Sequence, residues 1–200
     1  MKSQTHIAMA FIASVWFANT TTPAHADTET PADTGIEFGA VTYKTARMVV
    51  DADLDVVVER LQNGLAKLDI AGSYERFLGG ATREQMIAGG RKANPDKKYY
   101  QVFQVLWDMP IFIDTGERKR VRRFGIGGGP GRPLIGKYPA AGLHVLTDIN
   151  LYADGDKTVI DVLLPSGKYH ASFAEEPGLE DLAQRADEKM IAFLTSLQNQ

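Results

Sequence analysis

Two aspartates and a run of arginines are the residues of this chain best placed to do chemistry. Asp148 and Asp161 flank Ala153-Asp154-Gly155-Asp156, a hairpin-turn sequence in which Asp-Gly supplies the positive φ angles of a tight turn. With Ala153–Asp156 as the connection, Tyr152 faces Lys157, Leu151 faces Thr158, Ile149 faces Ile160 and Asp148 faces Asp161. One face of that hairpin then carries Val145, Thr147, Ile149 and Leu151 against Thr158, Ile160, Val162 and Leu164, a coherent core face. The other carries His144, Leu146, Asp148, Asn150 and Tyr152 against Lys157, Val159, Asp161 and Leu163. Two carboxylates directly opposite each other destabilise a sheet unless something compensates. A cation between them, a proton held on one of them, or neighbouring basic side chains would each do so. The chain supplies the third: Arg118, Lys119, Arg120, Arg122 and Arg123 lie on a strand that could neighbour the hairpin. The plainest outcome is a salt-bridge ladder. Ligand or metal binding, and an acid–base pair, are the functional alternatives.

The same basic strand opens a second possibility. Seven basic residues lie between Arg118 and Lys137, with no acid among them, and the span contains GIGGGPGRP, residues 125–133. Successive backbone N–H groups in a glycine-rich loop can form a concavity for an oxyanion. An anion site here would use Gly128 and Gly129, with Arg123 or Arg132 as the charged partner and Arg120 and Arg122 on the same basic strand. The loop matches neither the P-loop, which needs Lys-Ser/Thr after its last glycine, nor the dinucleotide spacing. His144 and Asp148 share a face but lie ~13 Å apart along the strand, too far for a catalytic hydrogen bond. No His-x-x-x-His or His-Glu-x-x-His spacing points to a metal, and no cofactor motif stands out. Tyr99, Tyr100, Phe103 and Trp107 are candidates for an apolar pocket, or for core.

The elements that must position these residues follow from periodicity. Residues 42–50 read as a strand. Asp53 is a good N-cap, and Leu54, Val57, Val58, Leu61, Leu65 and Leu68 form one helical stripe after it. Residues 73–78 suggest a short strand. Thr82 with Gln85 forms a capping-box pattern for a short helix that Gly89 and Gly90 would end. Residues 99–107 and 118–126 read as strands, with Pro110 breaking the first. Two further strands follow, and Leu179, Leu182, Ala183, Ala186, Met190, Leu194 and Leu197 mark a closing helix over 179–197. Consecutive strands with segregated helices predict an α+β fold: an antiparallel β-sheet with two long helices packed on one face, in a single domain over 41–200.

Residues 1–26 read as a cleaved secretory signal peptide. Lys2 opens a segment without acids, Ile7–Phe17 is apolar, and Ala24-His25-Ala26 is a small-x-small cleavage pattern. That apolar run, about 11 residues, falls short of the ~20 a membrane span needs, so no membrane span is expected. Residues 27–40 look like a flexible polar leader. The 200-residue chain has 22 basic and 25 acidic residues; removing Lys2 with the signal leaves 21 and 25, a mature charge of −4. That balance argues against nucleic acid as a partner. The absence of cysteine excludes disulfides and thiolate chemistry.

Two stretches resemble the domain-of-unknown-function family 302: the opening strand and helix over 42–68, and residues 124–166. In the second, Phe124-Gly125, Gly142-Leu143, Asp154-Gly155 and Pro165 fit the family's pattern, while Ile126-Gly127 stands where the family has Asn-Pro. The resemblance implies a small α+β domain and brings no activity, since the family has no settled one. The function expected is that of a periplasmic or secreted soluble module binding a small ligand, with an anion as one option, or a partner protein. The alternative is a hydrolase- or lyase-like enzyme using Asp148, Asp161 or His144. A homodimer could form through an edge strand such as 118–126 or through the exposed sheet face.

Overall fold

A computed structural model describes residues 43–139, 142, 145–173 and 176–198; the expected signal peptide 1–26, the leader 27–40 and His144 lie outside them. The chain opens with strand β1 (Thr45–Val50). Asp53 then caps helix α1 (Leu54–Gly64), its carboxylate accepting from the Asp55 N–H at 2.8 Å. Helices α2 (Ile70–Leu78) and α3 (Arg83–Ala93) follow, then β2 (Tyr100–Leu106), α4 (Asp108–Thr115) and β3 (Val121–Gly127). A 3-10 turn (Arg132–Gly136) leads to the hairpin β4 (Thr147–Asp154) and β5 (Lys157–Leu163). Helices α5 (Pro165–Phe173) and α6 (Leu179–Ser196) close the chain.

All five strands form one antiparallel sheet in the order β1-β5-β4-β3-β2. The two long helices cover one face of it, as the periodicity predicts. Leu54, Val57 and Leu61 of α1 and Met190 and Leu194 of α6 are buried with Phe124, Ile126, Ile149, Leu151, Ile160 and Val162 of the sheet. A second cluster joins α5 to α6, with Tyr169 against Leu179, Ala183 and Ala186. Val145, expected beside Ile149, packs half-buried against this second cluster instead, because β4 begins two residues later.

The hairpin register corrects the facing aspartates. Its connection is two residues, Gly155-Asp156, with Gly155 at φ 64°, and Asp154 pairs with Lys157. Glycine at the first central position of a two-residue turn suits the twist of the flanking strands. Asp161 therefore faces Asn150, and on its other side Arg47; Asp148 faces Gly125. A shift of two residues keeps every side chain on its face, so the alternation of apolar residues reads equally well in either register. Strand β3 is interior, between β2 and β4, so the edges open to another chain are β1 and β2, not 118–126.

Three local assignments also change. Residues 73–78 lie in α2, a helix capped by Asp69, whose carboxylate accepts from the Gly72 N–H. The capping box of Thr82 and Gln85 forms as read, but α3 continues through Gly89 and Gly90 to Ala93. Pro110 sits in the first turn of α4, where its missing N–H has no helical acceptor to lose. Strand β5 ends at Leu163, beside the Pro165 that fits the family's pattern, and Pro165 then opens α5. No helix among the described residues is long and apolar enough to cross a membrane.

Candidate functional site

The alternation of β3 splits the basic run between the two sides of the sheet. Arg120 and Arg122 point to the helix side. Arg120 reaches Asp53 at 3.2 Å and Asp55 at 2.5 Å, clasping the N-terminus of α1. Arg122 pairs with Asp108 at the start of α4. Arg123 turns to the open face, where its Nε and Nη2 donate to one oxygen of Asp148 at 3.1 and 2.7 Å. Lys168 of α5, nearly buried, donates to the other oxygen at 2.7 Å and to the Leu146 carbonyl at 2.6 Å. Burial pushes the Asp148 carboxyl up, but Lys168 and then Arg123 outweigh it and hold it below the usual carboxylate range. Asp161 forms a separate two-pronged pair with Arg47 of β1 at 2.7 and 3.0 Å. The two acids thus belong to two different ion-pair groups.

The sheet end from which Gly127–Gly131 leaves β3 gathers polar groups around the loop. Gly128 is at φ 102°, a left-handed angle that favours glycine. Tyr169 of α5 fills the space beneath the loop; a Cβ on Gly131 would lie 2.6 Å from its ring. The Gly131 N–H donates to the Tyr169 hydroxyl at 3.0 Å, so one loop donor is already engaged. On the other side, Asn94 clasps both backbone groups of Lys98, which sets the entry to β2 and presents the carbonyl of Lys97. Lys189 of α6 spans the gap between the two segments. Its Nζ donates to Lys97 O at 3.0 Å and Gly128 O at 3.3 Å and lies 4.4 Å from the centre of the Tyr99 ring.

That lysine is electrostatically unusual. It is half-buried, its contacts are carbonyls and a ring, and no carboxylate pairs with it among the described residues. Burial, with the nearby charge of Lys97, pushes its pKa below the ordinary lysine value. An ammonium has three donors, and two are committed here, which leaves one N–H to direct at a ligand. Beneath it lies a buried polar cluster. Tyr99 Oη and Ser166 Oγ are both buried without a hydrogen-bond partner among the described residues. Asp187 accepts from the Ser166 N–H at 2.9 Å. Burial raises the Tyr99 hydroxyl pKa, with Tyr169 and Asp187 adding to it, so the phenol stays neutral.

Of the residues singled out from sequence, Gly128 and Gly129 lie at this corner, and Arg123 and Asp148 form the ion-pair group on the adjoining open face. Arg120, Arg122 and Asp161 stand elsewhere. Arg132 opens the 3-10 turn, with its side chain outside the described residues, as is all of His144. Lys97, Lys168, Tyr169 and Lys189 were not legible as site residues. Lys168 and Tyr169 follow the last strand with no motif around them, and Lys189 lies outside the apolar stripe of the closing helix, where a lysine carries no signal of its own. Tyr99 was legible only as an aromatic of core or pocket.

The fold, an α+β sheet with helices on one face, is one seen before. The chain is similar to a solved structure described as an uncharacterized conserved protein DUF302 from Bacillus stearothermophilus. The TM-score is 0.52 at 11% identity, covering 76% of this chain and 97% of that one. At that identity the likeness is one of fold: this protein has a DUF302-like fold, as the resemblance of 42–68 and 124–166 implies. No family model matches the chain, and no curated protein matches it.

Proposed function

We propose that this chain is an exported, non-enzymatic module that binds a small anionic ligand at the corner formed by Gly127–Gly131, Lys97 and Lys189. The observation that carries this reading is Lys189, a half-buried ammonium beside a glycine-rich loop with no carboxylate paired to it among the described residues. A phosphate, sulfate or carboxylate would supply the missing charge, take the third ammonium N–H, and meet the backbone N–H groups of Gly128 and Gly129. Export rests on residues 1–26, whose basic start, apolar run and Ala24-His25-Ala26 pattern suit signal peptidase. Arg123, one of the partners expected from sequence, already commits its Nε and Nη2 donors to Asp148, which leaves Lys189 the better placed cation.

An enzyme built on Asp148 or Asp161 finds less support, because a general base needs a free lone pair facing substrate. Both oxygens of each acid are held by cations. Calorimetric titration of the purified protein with inorganic phosphate at low ionic strength tests the binding reading. Wild type should bind, and Lys189→Met should lose roughly tenfold or more in affinity. Equal affinity in the two proteins would remove Lys189 from the site.

A further inference from the structure

The segment between α1 and β3 presents two helices that bury none of their residues. In α2, Ile70, Tyr74, Phe77 and Leu78 recur at helical spacing on one face, yet all are 49 to 68% exposed and the helix buries no residue. In α4, Met109, Phe112 and Ile113 form a second stripe, 43 to 70% exposed, again on a helix with no buried residue. An apolar stripe at this spacing is the face a helix turns toward a core. Here two such faces are turned outward on one molecule.

Their placement is specific. β2 is an edge strand, and the two helices stand at its opposite ends. At the start of β2, Ala66 pairs along its outer side, the Ala66 N–H donating to Tyr99 O at 2.7 Å, and α2 follows directly. At the far end β2 runs through Trp107 into α4. Between them the outer side from Val102 to Leu106 pairs with no strand among the described residues, and both of those side chains are exposed.

We infer that this edge docks a second copy of the chain, about a twofold axis beside Val102–Leu106 that seats each copy's α4 on the other's α2. Antiparallel placement of two β2 edges brings the end of one strand beside the start of the other. That is the arrangement in which the two stripes meet, and a twofold makes both contacts at once. The area suffices. Side chains of this size carry ~200 Å², so the stripes with Val102, Leu106 and Trp107 expose roughly 1,100 Å² per copy, more than the ~800 Å² a stable dimer buries per partner.

Sedimentation equilibrium of the purified protein tests this, because both stripes are exposed and their variants leave the monomer's core intact. Wild type should sediment at twice the chain mass at micromolar concentration. Ile113→Asp and Leu78→Asp should each weaken dimerisation on the order of a hundredfold, with unchanged circular dichroism, since each places a charge in an apolar contact. A wild type that stays monomeric near 100 μM, on the order of weak non-obligate binding, overturns the proposal. So does a dimer that survives either substitution, because α4 on α2 requires both. Loss with Ile113→Asp alone would indicate α4 meeting α4, and overturns it equally.

Discussion

Asp148 shows how much one side chain's neighbours decide. On its own strand it looks like half of an acidic pair; in the sheet it is a carboxylate whose two oxygens are held by Arg123 and Lys168. Replacing Lys168 by Met leaves a largely buried carboxylate with one partner. We expect a loss of about 1–3 kcal/mol in urea unfolding, the cost of a buried charged group losing a hydrogen bond. The pH dependence has a definite sign. The folded pKa of Asp148 is depressed, so its contribution is fully present above the unfolded carboxyl value of about 3.9 and is lost as pH falls through the lower folded value. The Lys168→Met protein should therefore lose less stability than wild type between neutral pH and pH ~3. Equal acid sensitivity in the two would show that Lys168 does not hold the carboxyl down. Little of this was legible in the chain, because Lys168 is distant in sequence and nothing in LPSGKYH marks a lysine that turns inward.

At the level of elements, the sequence carried the long periodic helices and the strand alternation, and lost short segments. α1 and α6 announce themselves through stripes that end up in the core. α2 does not, because Ser73-Tyr74-Glu75-Arg76-Phe77-Leu78 holds aromatic residues that also suit a strand, and its helical period is spent on an exposed face. The hairpin register was out of reach because apolar alternation has period two, and only the turn chooses between registers two apart. One strand pair makes a further prediction. Phe103 lies across Gly125 on the facing strand, and a Cβ on Gly125 would come within 2.1 Å of its ring. Phe103 also lies 5.8 Å below the Arg123 guanidinium, so moving the ring disturbs the Asp148 group too. Gly125→Val should cost about 1–3 kcal/mol from overpacking, read by thermal unfolding. Adding Phe103→Ala in the same chain should recover part of that loss. A double variant no more stable than Gly125→Val would show that the ring is not what the valine meets.

For the whole molecule, a five-stranded antiparallel sheet covers its α1 and α6 side and leaves the other side to ion pairs, a division the order of elements in the sequence predicted. What the sequence placed on a basic strand, the fold divides: Arg120 and Arg122 brace helices, Arg123 holds Asp148, and Lys189, from the far end of the chain, supplies the cation at the loop. The glycine loop was legible as a candidate for an anion site; the lysine beside it was not, because only the packing of α6 across the end of β2 brings them together. The most direct test is to titrate the purified protein with inorganic phosphate at low ionic strength while following the Gly128 and Gly129 amides and the Lys189 ε-methylene by NMR. Saturable shifts of all three at millimolar phosphate, with the Lys189 pKa moving upward as a counter-anion arrives, are the predicted result. Amides and methylene that stay in place, or a Lys189 pKa that phosphate leaves unchanged, would contradict an anion site at this corner.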